Sequence, residues 1–283
     1  MLVGAFRHRG LARRCLIDSI SLQHAISSRS FSDKGSKAPS SSSEGSPSDA
    51  SRPGSWVDRE QAAETHWLDR AFPGARQWLE RKNRAWMIHN TTAVARKHAH
   101  LRDREGEIAQ LTERAFQDLL SRHSSKAVDD RGQTHVQNAC LLLACHKVLR
   151  SFLRNPQEAL EAVKAQAGAH SSALLHYLLR FSMLFQRDPF DSSVRRLKAL
   201  RLDLGRSFQT EVATDGRTAT LTIHRCLYKD ILSEEDATQL LECCCCSQDS
   251  VWFEGLEGQK IGFKRLEWLG NGRSCCHLEL KRL

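Results

Sequence analysis

The stretch SFQTEVATDGRTATLTIHRC, Ser207–Cys226, decides the fold class. Upstream of it apolar residues recur at helical spacing. Within it the period shortens toward two, and Asp215-Gly216 places a turn signal between two alternating runs. Two antiparallel strands are expected. Further on, Ser233 followed by Glu234, Glu235 and Asp236 reads as the start of a helix with negative charge in its first turn, running into ECCCCSQD, Glu242–Asp249. SVWFEGL (Ser250–Leu256) and KIGFKRLEWL (Lys260–Leu269) read as strands, and Gly270-Asn271-Gly272 turns the chain into SCCHLEL, Ser274–Leu280. Residues 205–283 are thus expected to form an antiparallel sheet with one inserted helix.

Working outward, residues 56–204 carry helical periodicity, with breaks at Pro73-Gly74, around Asp129–Gly132, at Asn155-Pro156 and at Pro189. Five or six helices are expected. In NPQEALEAV, Asn155 can cap, Pro156 occupies the first helical position and Glu158 stands where a capping-box carboxylate would reach back. Leu174, Leu175, Leu178, Leu179, Phe181 and Leu184 form a wide apolar stripe that should be buried. The fold class is therefore α+β, with an N-terminal helical bundle packed against the C-terminal sheet.

Residues 33–55 are a Ser, Pro and Gly tract without apolar periodicity, expected to be a disordered linker because it cannot bury enough surface to offset its ordering entropy. Residues 1–32 carry Arg7, Arg9, Arg13 and Arg14 with no acid before Asp18, and RSFS at Arg29–Ser32 resembles a matrix-protease cleavage site. A mitochondrial presequence and a matrix location are expected, with a plastid as the alternative. A secretory signal would need an apolar core that this leader lacks. ACLLLAC, Ala139–Cys145, is the longest strongly apolar run and falls far short of the roughly 20 residues needed to cross a bilayer, so no membrane span is expected.

The formal charge of +9 shrinks to about +5 once the six basic and two acidic residues of the first 34 are set aside. No recognition motif accompanies this mild surplus, so a nucleic-acid partner is not expected. Ten cysteines in a chain of 283 residues with a matrix leader do not read as a disulfide scaffold. In the run at Cys243–Cys246, only residues three or four apart share a helix face, so Cys243 and Cys246 look the same way while Cys244 and Cys245 point elsewhere. Cys140, Cys145, Cys244 and Cys275 are read as packing residues, since free cysteine behaves as a small hydrophobe.

The order CLY, helix, CSQD, IGFKRLEWL, glycine turn, CCHLEL resembles the L-2-amino-thiazoline-4-carboxylic acid hydrolase family. Its strand ending in Cys, Cys-x-x-Asp element, Ile-x-Phe-x-Arg strand and Gly-x-x-x-Cys ending match Cys226, Cys246 with Asp249, Ile261 with Phe263 and Arg265, and Gly272 with Cys276. QNACLLLACHKVLRSFLRNPQEALEAV is similar to the helix pair of that family, and the likeness spans about residues 80–281. Where the family shows Asp and an aromatic residue after the last Cys, this chain has His277 and Leu278.

The resemblance implies hydrolytic opening of a small cyclic amidine to an N-carbamoyl amino acid. Such chemistry needs attack at the carbon between nitrogen and sulfur, a proton for the departing heteroatom, and a cation for the substrate carboxylate. Cys276 or Cys246 is a candidate thiolate nucleophile, with water-mediated attack as the other route. Asp249 or His277 is a candidate proton carrier, and Arg265 a candidate carboxylate clamp. Neighbours along a strand point to opposite faces, so Cys276 and His277 are not expected to pair directly.

Two alternatives stand beside catalysis. Cys226, Cys246 and Cys276, completed by Cys243, Asp249 or His277, could hold zinc or iron in a non-catalytic metal- or ligand-binding module. The same three cysteines could equally be buried packing residues. His98 and His100 of KHAH lie about 200° apart on a helix and are expected to face solvent. Trp56, Trp67, Trp78 and Trp86 are assigned to the core.

Overall fold

The computed structural model describes residues 75–171, 188–242, 246, 253, 256 and 260–283. The leader, the linker, Trp56, Trp67, the Pro73-Gly74 break, the Leu174–Leu184 stripe, Cys243, Cys244 and Asp249 lie outside them. All described residues belong to one compact unit, Gly54–Leu283.

Six α-helices appear among the described residues: α1 Ala75–Ala95, α2 Glu105–His123, α3 Asp130–Phe152, α4 Pro156–Ser171, α5 Pro189–Leu204 and α6 Leu227–Glu234. Strands β1 Gln209–Thr214, β2 Thr218–Arg225, β3 Ile261–Glu267 and β4 Cys276–Arg282 pair antiparallel in the order β1-β2-β4-β3. The α+β architecture is the expected one.

Helix α3 is the hub of the fold. It touches α1, α2, α4, α5 and α6, so its middle turns must be apolar on every side. Val136, Ala139, Cys140, Leu143, Ala144, Cys145 and Leu149 are all buried there. Burial pushes the Cys140 thiol up to about 12 and that of Cys145 to about 11, so both are packing residues, as expected.

The caps explain where helices start. Asp129 accepts from the Gly132 N–H at 2.7 Å to open α3, and Asp188 accepts from Phe190 and Asp191 to open α5 after Pro189 takes the first turn. Asn155 caps α4 through the Gln157 N–H, as expected, but Glu158 pairs with His98 at 2.9 Å instead of reaching back. His98 is therefore half-buried, whereas His100 is exposed as expected; both lie beyond the helix expected to contain KHAH, which ends at Ala95, and His98 precedes a short 3-10 turn, Ala99–Arg104.

Along β2 and β4, Ala219, Leu221 and Ile223 and Cys276, Leu278 and Leu280 face one way and are buried. Helix α5 packs on this side, with Phe190, Leu197 and Leu204 in the core. Each such side chain contributes about 1.5–3 kcal/mol by leaving water. Arg282 closes the seam, donating to Asp188 at 2.9 Å with its guanidinium 4.8 Å from the Phe190 ring. Asp215 makes the β1-β2 turn by accepting from the Arg217 and Thr218 N–H groups, while Gly216 takes a φ of 84°.

Four expectations are corrected. The helix expected to open at Ser233 ends there: α6 begins directly after Cys226 because Leu227, Tyr228, Ile231 and Leu232 form its buried face. Asp236, at a φ of 51°, breaks it. In the expected strand Ser250–Leu256, Phe253 is helical, and it stacks on Phe263 at 5.0 Å. Trp78 is 39% exposed, with the Lys82 ammonium over its ring. Cys275 is only partly buried, because Cys276 takes the core-facing position and sends its neighbour outward, 3.6 Å from Glu267.

Candidate active site

Three cysteines separated by 20 and 30 positions meet at one end of the sheet. Cys226 follows the last residue of β2 and is the N-cap position of α6, Cys276 is the first residue of β4, and Cys246 arrives from the segment between α6 and β3. They are 4, 5 and 6% exposed for Cys226, Cys246 and Cys276. Register places Ile223 opposite Cys276, so the exit of β2 and the start of β4 lie at the same edge of the sheet.

Cys276 is tied into this cluster. Its thiol hydrogen-bonds with Cys246, and the Leu269 N–H donates to its sulfur at 3.3 Å. The Cys246 bond, then burial, push the Cys276 thiol far above the ordinary cysteine value; the charges of Cys246 and Cys226 add to this, and the Leu269 N–H opposes it. A resting thiolate is disfavoured at Cys276, the reverse of what an activated nucleophile at that position needs.

Arg265 reaches the same face by alternation from Ile261 and Phe263, and a bulge follows it. Its partner across the ladder is Leu278, whereas Glu267 pairs with His277, so Leu266 is the extra residue and is 53% exposed. Residues opposite one another share a face, so Arg265 lies on the side of Leu278 and Cys276, while Glu267 joins His277 on the other. The Arg265 guanidinium sits 5.6 Å from the Trp268 ring, next to the residue that donates to Cys276. Trp268, the Leu269 N–H and the bulge escaped sequence reading; the one available signal was the break in alternation at Arg265-Leu266.

The structure thus brings together Cys226, Cys246, Cys276 and the Arg265 end of β3. It does not bring His277 to the thiols: His277 faces Thr222 and Glu267 on the opposite side, as strand alternation requires. Cys243 and Asp249 lie outside the described residues. Among the described residues, no group of three or more His, Cys, Asp and Glu side chains is placed to hold a metal ion.

Helix α6, which starts at Cys226, is anchored from its first turn. Tyr228 is buried and its hydroxyl lies 2.9 Å from His135 Nδ1, while His135 Nε2 lies 3.0 Å from the Asp203 carbonyl. A carbonyl can only accept, so Nε2 carries the proton and Nδ1 accepts from Tyr228. The Phe208 ring stands edge-on to His135 at 5.0 Å.

Among the described residues no helix is long and apolar enough to cross a membrane. No curated protein and no solved structure matches the chain. The profile of the L-2-amino-thiazoline-4-carboxylic acid hydrolase family matches residues 133–280, from the first turn of α3 into β4 and just over half of the chain. That segment contains Cys226, Cys246, Arg265 and Cys276, and the chain belongs to the L-2-amino-thiazoline-4-carboxylic acid hydrolase family.

Proposed function

We propose that the protein opens the ring of a small cyclic amidine carrying a carboxylate, at the end of the sheet where Cys226, Cys246 and Cys276 converge beside Arg265. The observation that carries this reading is that convergence: residues from three separate motifs of the family-matched segment meet in one buried cluster on the face of Arg265.

Arg265 supplies two parallel donors for the substrate carboxylate, held in place by the Trp268 ring. Water then adds to the carbon between nitrogen and sulfur, the bond to sulfur breaks, and the departing sulfur takes a proton. Water rather than the Cys276 thiolate is favoured as the attacking group, because the cluster holds the Cys276 proton in place. The Cys276 thiol instead presents a weak donor and a soft acceptor to the ring. Asp249, three positions beyond Cys246, is the candidate proton carrier.

The test is ring opening of L-2-aminothiazoline-4-carboxylate by the full chain and by Arg265→Ala, Cys246→Ala and Cys276→Ala. Arg265→Ala is expected to raise KM by about tenfold or more, the loss of one bidentate clamp. The cysteine variants are expected to lower kcat without trapping a covalent adduct. No turnover by the folded wild-type protein would sink the reading.

A further inference from the structure

The bulge in β3 re-aims the residues that follow it. Arg265 pairs with Leu278 and Glu267 with His277, so Leu266 is the extra residue and every later side chain is shifted by one position. Trp268 follows Glu267 in extended backbone, φ −147° and ψ 146°, and alternation turns its side chain away from the His277 side, toward that of Cys276 and Arg265. Without the extra residue, Arg265 and Trp268 would point to opposite faces. With it they share one, and Trp268 packs against the buried core there.

The indole is braced from one side. A Cβ at Gly270 would lie 3.3 Å from Trp268 Cδ1, 3.4 Å from its Nε1 and 3.4 Å from Leu241 Cδ2, so glycine lets the pyrrole edge rest against the turn. Leu269, the next residue, ties that turn to the thiol cluster by donating its N–H to Cys276 at 3.3 Å. The Arg265 guanidinium stands 5.6 Å from the ring centroid, near the outer limit of about 6 Å for a cation–π contact, so it flanks the indole rather than covering it. Phe263, the other aromatic residue on this side of β3, is already stacked on Phe253 at 5.0 Å. Trp268 is thus a half-buried aromatic plate beside both the cation and Cys276.

We infer that Trp268 selects the substrate by the flatness of its ring: the heterocycle stacks on the indole while its carboxylate reaches the flanking Arg265. This rests on the ring-opening reading and adds a substrate class to it, unsaturated five-membered rings. A saturated ring is puckered, cannot lie flat on the indole and is disfavoured.

The probes are thiazole-4-carboxylate and thiazolidine-4-carboxylate, which share ring heteroatoms and carboxylate and differ in saturation, each titrated into the full chain by ligand-observed NMR. Neither carries the reacting amidine, so the outcome does not depend on turnover. Affinity in the high-micromolar to millimolar range is expected for the flat ring, with about eight non-hydrogen atoms, and about tenfold weaker for the saturated one. Trp268→Leu should weaken the flat ring about tenfold and leave the saturated ring within about twofold, a loss of selectivity that misfolding, which removes both ligands, does not produce. Trp268→Phe keeps an aromatic plate and should keep the preference; it decides the matter if Trp268→Leu loses both ligands. Equal binding of the two rings by the wild-type protein, or no saturable binding of either into the tens of millimolar, would overturn the inference. So would a preference that outlives Trp268→Leu or vanishes in Trp268→Phe. A preference that depends on Trp268 in a protein that does not open L-2-aminothiazoline-4-carboxylate would keep the plate and sink the ring-opening reading alone.

Discussion

His123 Nε2 lies 2.9 Å from Glu235 Oε1, across 112 positions of sequence, with both side chains almost fully buried. Glu235 follows the last turn of α6, where a carboxylate opposes the helix dipole. The arrangement is stable because Arg122 and Lys147 also donate to Glu235, while Lys126 pairs with Glu234. Burial pushes the Glu235 carboxyl up, but hydrogen bonds from Lys147 and His123 and the charges of Lys147 and Arg122 outweigh it and hold the group below its ordinary value. Glu235→Ala strands a buried histidine while Arg122 and Lys147 regain water, so a loss of about 2–3 kcal/mol is expected. Urea denaturation at neutral pH measures it, and a change below about 0.5 kcal/mol would show that the cluster is only surface decoration.

His146 makes stability depend on pH in a separate window. It is buried on α3, and desolvation, then the charge of Arg150, pulls its pKa from 6.5 down to about 4. The unfolded chain binds this proton below about 6.5 and the folded chain only below about 4. Its stability contribution is therefore complete above 6.5 and is lost as the pH falls toward 4. About 2 kcal/mol should vanish between pH 7 and pH 5, before carboxylates such as Glu235 protonate. His146→Leu should flatten that slope; an unchanged slope would assign it to another group.

The strands at Gln209–Arg225 were legible because alternation and the Asp215-Gly216 turn are local properties. The start of α6 was not. Ser233-Glu234-Glu235-Asp236 has the local form of a helix N-terminus, but the buried face Leu227, Tyr228, Ile231 and Leu232 places the helix before it, and cations of α2 and α3, distant in sequence, offset the carboxylates at its end. Convergence of Cys226, Cys246 and Cys276 followed from motif order, and the direction of Arg265 from alternation with Ile261 and Phe263, whereas the direction of Glu267 depended on a bulge that the alternation of single residues does not encode. Cys275 was misplaced for a related reason: two adjacent cysteines entering a strand cannot both face the core.

Gly132 tests packing where α3 meets the chain beyond α5. A Cβ there would lie 2.0 Å from Ser207 Oγ and 2.9 Å from Asp129 Oδ1. Alanine would ordinarily favour a helix by about 1 kcal/mol, but overpacking costs about 1–3 kcal/mol and also disturbs the Asp129 cap. Gly132→Ala is expected to lower the thermal midpoint, and Ser207→Gly in the same chain to restore part of it. Equal destabilisation with and without Ser207→Gly would mean that the clash is not the cause.

Cys275 and Cys276 are adjacent in sequence and opposite in environment, which gives the attacking group a direct test. Cys275 is partly exposed on the outer face; Cys276 is buried, bonded to Cys246 and the Leu269 N–H, with its thiol pushed up. Alkylation proceeds through the thiolate, so brief iodoacetamide treatment at pH 7.5 followed by peptide mass spectrometry should label Cys275 at least about tenfold faster than Cys276. In denaturant the two rates should converge, because both environments are lost. Preferential labelling of Cys276 in the folded protein would mean that the cluster releases its proton readily. Water would then give way to the Cys276 thiolate as the group that attacks the ring carbon.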